Sequence, residues 1–419
     1  MEKLYVFINR NFTCIIAYIS YTDATVSIRY PSMRVDVGKG GKGGMAVLAM
    51  CSFTAAASKA ERRRGAEEKQ IMFSRIENAY FRYQGSLLPS ILVLFYCHLA
   101  YFGGAALVLS LNPVLMAAGT VALAHGMVIA SYLIHDCAHN ALFKSPRHNA
   151  LAGNWLNWLT GGCYGTYAEL RAQHMRHHVE HADVIGFDYR PYLARHPFQL
   201  RIVQALEWLY VPAVEFIMHA ALMVAPFILE EKKNQRLRTA GIIIVRFSLL
   251  AALFVYSAAA YLGYLFAYAM FLTILRFMDA FQHNYEVVLS GSEDVQAVKH
   301  QGDRTYENLH TYSNPVSMAH PWLNLIALNF GYHNAHHARP AAPWHELPRL
   351  HRKLYGEASE SESGTVRVIP FHRQLASFHN SRLARVMGDD SETQGNGFAQ
   401  RLEQGTAVGA AGMSFLTPL

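Results

Sequence analysis

The sequence predicts an all-α integral membrane protein: two transmembrane helical hairpins, four spans in all, with interfacial helices and a cytoplasmic helical cap holding a histidine-rich site for two metals. Three observations carry this expectation. Of 419 residues, 52% are hydrophobic and only 16% are charged, against roughly 25% charged in a soluble domain. Four apolar stretches are each long enough to cross a bilayer. The 22 histidines are not scattered, because eight of them fall in three tight clusters beside the polar ends of those stretches. A net charge of +7 suits an anionic lipid surface or the cytoplasmic flanks of membrane spans. No nucleic-acid-binding motif is present. The five cysteines, Cys14, Cys51, Cys97, Cys137 and Cys163, have no CxxC spacing, so neither a disulfide framework nor a zinc knuckle is indicated.

Residues 1–70 are expected to be a disordered leader or a mis-annotated extension. Their apolar patch, Phe12 to Tyr21, is half the ~20 residues that a span takes. A Gly/Lys run (Gly38 to Gly44) and a charged stretch (Lys59 to Lys69) follow, and Met45, Met50 and Met72 are alternative starts. The membrane domain is expected over 71–356. Leu87 to Leu111 and Val114 to Ile134, parted only by Asn112 and Pro113, form the first hairpin. Leu151 to Tyr164 is short and carries Asn154, Asn157 and paired glycines, which suits a re-entrant or interfacial helix. Val211 to Leu229 carries Glu215, His219 and Pro226. It is expected to lie in the interface, since a crossing here would put the later histidines on the opposite face from the earlier ones. Ala240 to Ala260 and Leu262 to Ala280 form the second hairpin, turning at Tyr261 to Gly263. Residues 357–419 are expected to be a tail. Its amphipathic part, Val366 to Met387 with Phe371, Leu375, Phe378 and Leu383, suits a lipid surface or a cover for the cytosolic domain. Beyond it lies a disordered Gly/Ser/Gln/Ala-rich end. Both hairpin turns lack Lys and Arg, whereas Arg62 to Arg64, Lys144, Arg147, Arg171, Arg176, Lys232 and Lys233 flank the opposite ends. By the positive-inside rule, both termini and the metal site face the cytoplasm.

The clusters are His135-Asp-Cys-Ala-His139, His174-Met-Arg-His177-His178 and His333-Asn-Ala-His336-His337. At about 100° per residue, positions i, i+3 and i+4 share an arc of roughly 100° on one helix face. Imidazole suits iron, copper, nickel and zinc. Eight imidazoles exceed the three or four protein ligands of one zinc site, which implies two metals with about four or five donors each. Asp279-Ala-Phe-Gln-His283, again i and i+4, closes the fourth span and adds a further donor. One HxxxH arises easily by chance; two HxxHH copies and an HxxxH on one membrane face do not. His181 is placed equally well as a donor, a supporting group or a surface residue, and His320, before Pro321, suits a turn. A membrane metal transporter or sensor is the non-enzyme alternative, but transporter histidines belong at mid-membrane along a path. A zinc protease would need an HExxH, which is absent, or an HxxEH-like variant.

From about Leu87 to Tyr355 the chain resembles the membrane fatty acid desaturase and hydroxylase superfamily, with the three boxes in order and a span pair between the second and third. The resemblance implies an oxidoreductase with a di-iron centre that uses O2 to attack an unactivated C–H bond. It implies His135, His139, His174, His177, His178, His333, His336 and His337 as iron ligands, with His283 from the fourth span. Family members often carry Asn-x-x-x-His at that last place, the Asn holding an iron through water. Here Asp279 stands instead, either binding similarly or orienting His283. Together with His181, Asp136, Glu180 and Asp183 it is a candidate for a water-bridged or supporting role. Glu169, Asp188 and Glu286 are further carboxylates that could fix imidazole tautomers. The three-residue spacing in the first box resembles acyl-lipid desaturases, and the third begins with His333, not the Gln of front-end enzymes. The implied activity is therefore acyl-lipid desaturation, with a lipid or carotenoid hydroxylase or ketolase as the alternative on the same scaffold. No His-Pro-Gly-Gly signature of a fused cytochrome b5 is present, so electrons are expected from a separate ferredoxin or cytochrome b5. The acyl tail would lie in an apolar tunnel between the spans, its head group near Arg171 and Arg176.

Overall fold

The computed structural model describes the strands within residues 3–38, and residues 63–290, 299–356, 368–388, 397–410 and 416–418. The chain divides into two compact units, Met1–Arg75 and Ile76–Leu419. In the first, β1 (Lys3–Arg10), β2 (Thr13–Tyr21), β3 (Thr25–Tyr30) and β4 (Met33–Gly38) form an antiparallel meander in chain order. These strands lie within the expected leader, residues 1–70. Segments of six to nine residues rich in Ile, Val, Thr and Tyr are too short for spans but are of ordinary strand length and composition.

Residues 63–80 are helical, and the first hairpin follows. Its first helix, α1 (Leu87–Val108), includes a π-helical turn at Leu99–Gly103, and its second is α2 (Pro113–Ala138). The chain turns at Asn112, whose side-chain oxygen accepts the N–H groups of Val114 and Leu115 at 3.1 and 3.2 Å, with Pro113 preset for the first helical turn. Small residues then let the two backbones touch. A Cβ on Gly119 would lie 2.6 Å from the Gly104 carbonyl oxygen and 2.7 Å from Leu107 Cβ, and one on Gly126 would lie 2.7 Å from the Tyr101 nitrogen. Close approach of this kind is how helices gain contact where lipid supplies no hydrophobic drive.

Next come α3 (Pro146–Leu159), α4 (Tyr167–Glu180), β5 (Asp183–Ile185), α5 (Arg190–Arg195), α6 (Pro197–Trp208) and α7 (Ala213–Ile228). The second hairpin is α8 (Arg236–Tyr256) and α9 (Ala258–Asp279). After it, β6 (Val288–Ser290) pairs in parallel with β5. The remaining helices are α10 (Arg304–His310), α11 (His333–Ala338), α12 (Leu347–Tyr355), α13 (Phe371–Asn380) and α14 (Gly397–Gln404).

Four helices are long and apolar enough to cross a membrane: α1, α2, the run Glu230–Tyr256 that contains α8, and α9. The expected helical membrane architecture, with four helices able to cross as two hairpins, is therefore present, with α2 the most buried of them and α8 the least. With 16 residues, α7 measures about 24 Å, short of the ~30 Å hydrocarbon core. It packs beside the spans through a buried charge cluster, in which Arg276 of α9 lies 2.7 Å from Glu207 and 3.8 Å from Glu215.

Two boundaries differ from the sequence expectation. The second hairpin turns at Ser257, not at Tyr261 to Gly263, because Ser257 is extended and its hydroxyl caps α9 at the Ala260 N–H, 3.2 Å away. Gly263 stays helical, and a Cβ there would sit 3.4 Å from Thr120 and Val108 of the first hairpin. The tail also departs from a disordered end over its described part. In α14, Phe398 and Leu402 are one turn apart and buried with Phe281, Ile369 and Phe378. Helix α13 covers α9 through Phe378 and through Gln374, which donates to the Phe277 carbonyl at 2.7 Å, while Leu375 stays exposed.

Gly119→Leu should separate α1 from α2 at a cost on the order of 1–3 kcal/mol, the usual range for overpacking. The check is the thermal unfolding midpoint of the detergent-solubilised protein, which should fall; an unchanged midpoint contradicts the backbone contact.

Candidate metal centre

The end of α2, helices α4 and α11, and the segment after α9 bring nine imidazoles to one place. His135 and His139 close α2; His174, His177 and His178 lie on α4; His333, His336 and His337 make up half of α11. His283 is held against Thr311 by an isolated bridge. All are buried except the half-buried His178.

Their ring nitrogens sort into two groups, each with its donor atoms within 4.8 Å of one another. One is His135, His139, His174, His178 and His336; the other is His177, His283, His333 and His337. Helix geometry dictates the division. In each HxxHH box the i, i+4 pair enters one group and the middle histidine enters the other. His174 and His178 thus join His336, whereas His333 and His337 join His177. The groups adjoin, with the His178 and His337 rings 4.2 Å apart between centroids.

Within the groups the Nε2 atoms approach closely. His174 is 2.7 Å from His139 and 3.2 Å from His178, and His178 is 3.2 Å from His336. His283 is 3.0 Å from His177 and 2.7 Å from His333, which is 3.1 Å from His337. Burial first and neighbouring imidazoles second hold His139, His174, His178, His283, His333, His336 and His337 well below the ordinary histidine range. Burial also lowers His177 to about 4, against the opposing effect of its hydrogen bond to Ala182. Each of these eight rings therefore carries one proton.

That proton count makes hydrogen bonding among these rings insufficient. His177 Nδ1 donates to the Ala182 carbonyl at 2.8 Å, and His337 Nδ1 donates to Glu307 at 2.9 Å, so both leave Nε2 as a bare acceptor. If His283 donates to His177 and His333 donates to His337, two N–H groups confront each other across 2.7 Å. A cation among the lone pairs removes the conflict. Metal–imidazole bonds of about 2.0–2.1 Å also place neighbouring donors roughly 3 Å apart, as these are. The donor set fits a metal centre.

The remaining candidates have other partners. Asp279 lies in neither group; it lines an apolar cavity with His135, Tyr132, Leu275 and Phe330. His181 donates from Nδ1 to the His300 carbonyl at 2.9 Å, and its Nε2 is 3.5 Å from Glu307, which makes it a support. Asp136 accepts the Trp344 N–H at 3.1 Å, and at 3.8 Å it is too far from His135 to hydrogen-bond. Glu180 pairs with Arg176 at 3.0 Å. Asp183 sits in β5, its carboxyl pushed up to about 7 by burial against the pull of Arg190. Glu169 caps α4 in a box with Thr166 and pairs with Lys232. Asp188 pairs with Arg190, and Glu286 with Lys299.

The sequence reading missed Glu307. It is 3% exposed, accepts from His337, lies within reach of His178, and is itself held by Arg304 at 2.7 Å. No spacing rule connects it with a histidine thirty residues later. Its only signal was a carboxylate in the polar stretch preceding the third box.

A family model described as Fatty acid desaturase matches residues 111–367, more than half of the chain. No curated protein matches the chain significantly.

Glu307→Ala should weaken metal binding 10–100-fold, the usual effect of removing a carboxylate behind a ligating imidazole. Glu307→Gln, whose amide oxygen still accepts from His337, should retain most of it. Metal titration of the purified protein is the check, and equal affinities in all three proteins contradict this role.

Proposed function

The chain belongs to the fatty acid desaturase family, a family of oxidoreductases, and from that premise we propose that it is an O2-dependent acyl-lipid desaturase with a di-iron centre. The observation that carries the reading is the division of nine imidazoles into adjoining five-donor and four-donor groups. Two irons bound there would supply the oxidising power toward a methylene C–H bond that no protein side chain has.

The protein's own groups position and protect. Ala182 and Glu307 hold the Nδ1 protons of His177 and His337, so that Nε2 of each faces inward. Tyr132, Leu275 and Phe330 make the cavity beside His135 apolar, which suits a methylene chain and disfavours water. Asp279, the one acidic group lining that cavity, would hold water there or orient His283. Overall, one –CH2–CH2– unit and O2 consume two electrons and two protons to give –CH=CH– and two waters. A ferredoxin or cytochrome b5 is the proposed electron donor. The Lys and Arg flanks favour a cytoplasmic site. The histidines cap one end of the spans, as a reaction at the membrane surface requires, and do not line a mid-membrane path as in a transporter.

The test is lipid profiling of a host expressing the chain. Acyl lipids lighter by two hydrogens should accumulate, and His177→Ala should abolish them. His336→Ala should likewise insert into the membrane yet yield no product. Lipids that gain oxygen instead identify a hydroxylase, and an unchanged lipid profile contradicts the reading.

A further inference from the structure

The C-terminal end of the chain reaches the cavity at the metal centre. Leu416 is 1% exposed and lines that cavity opposite residues of α2 and α9, alongside His135 and Asp279. It packs in the same apolar cluster as Leu275 and Phe271. The other lining residues belong to the spans, apart from Phe330 in the segment entering α11. Leu416 alone comes from the last residues of the chain.

Its seat is shaped for it. A Cβ on Gly165 would lie 2.9 Å from Pro418 Cγ and 3.3 Å from Leu222 Cδ1, and one on Gly162 would lie 3.5 Å from the Leu416 carbonyl oxygen. Two glycines in the turn before α4 therefore let Leu416–Pro418 lie close to the backbone. Thr417 is fully buried, yet its hydroxyl has no hydrogen-bond partner among the described residues. Apolar fit at Leu416 and Pro418, not polar contact, holds the segment, because an unpartnered buried hydroxyl opposes burial.

We propose that Leu416 is a specificity-determining residue: it closes the apolar cavity beside the metal centre and so sets the length of acyl chain accommodated there. The inference rests on the acyl-chain reading above. Close-packed walls discriminate by shape, and a single methylene in an apolar pocket changes selectivity about 10-fold or more. Leu416→Ala vacates the space of three carbons, whereas Leu416→Phe intrudes on it.

The experiment supplies acyl lipids of graded chain length in competition to the full chain and its variants in membranes. Leu416→Ala should raise the ratio of long-chain to short-chain product at least severalfold, and Leu416→Phe should lower it. Gly165→Ala, which dislodges the segment without lining the cavity, should follow Leu416→Ala. A purely structural role lowers total product in both Leu416 variants and leaves the ratio unmoved. Product from the unaltered chain with the same ratio in all variants overturns the proposal alone. No acyl product from the unaltered chain overturns the acyl reading, and this proposal with it.

Discussion

Nine imidazoles packed nitrogen to nitrogen are an unstable arrangement for a protein acting alone. Burial keeps eight of them neutral, and neutral rings can share only one proton across each contact. The Nδ1 protons of His177 and His337 are already committed to Ala182 and Glu307, so their Nε2 lone pairs turn toward neighbouring imidazoles, where a cation would satisfy them. Bringing unpaired polar atoms together in a low-dielectric interior is costly, and a bound metal turns that cost into affinity.

The scaffold holds these rings in place by fixing helix ends. The contact between α1 and α2 through Gly104 and Gly119 sets where His135 and His139 emerge. The Arg276 cluster ties α9 to α6 and α7, which fixes the level at which His283 leaves the fourth span. Helix α4 begins at a capping box on Thr166, so its three histidines have a defined phase. In α11 the same i, i+3, i+4 spacing is used with the opposite assignment, and the two boxes interlock. A 3.6-residue period thus generates two neighbouring donor sets from two copies of one motif.

Those parts were legible in the sequence because each is a local pattern. Span length reads from apolar runs, and the boxes read from helical spacing. The turn at Ser257 was missed because Gly263 looked like the breaker, whereas Gly263 lies inside α9. Residues 3–38 were passed over in a search for helix-long runs, although their β-branched segments suit strands. Phe398 and Leu402 looked like a polar tail because two apolar residues in isolation do not reveal a partner such as Phe281. Glu307 and Leu416 were invisible for the same reason: each acts on a group far away in sequence, and only the fold supplies the contact.

The central claim is that the two donor groups hold two irons. Its most direct measurement is metal analysis of the full chain purified from an iron-replete host, by elemental mass spectrometry with Mössbauer spectroscopy on iron-57-enriched protein. Two irons per chain in a coupled pair are predicted. One metal per chain, or zinc in both groups despite available iron, contradicts the account.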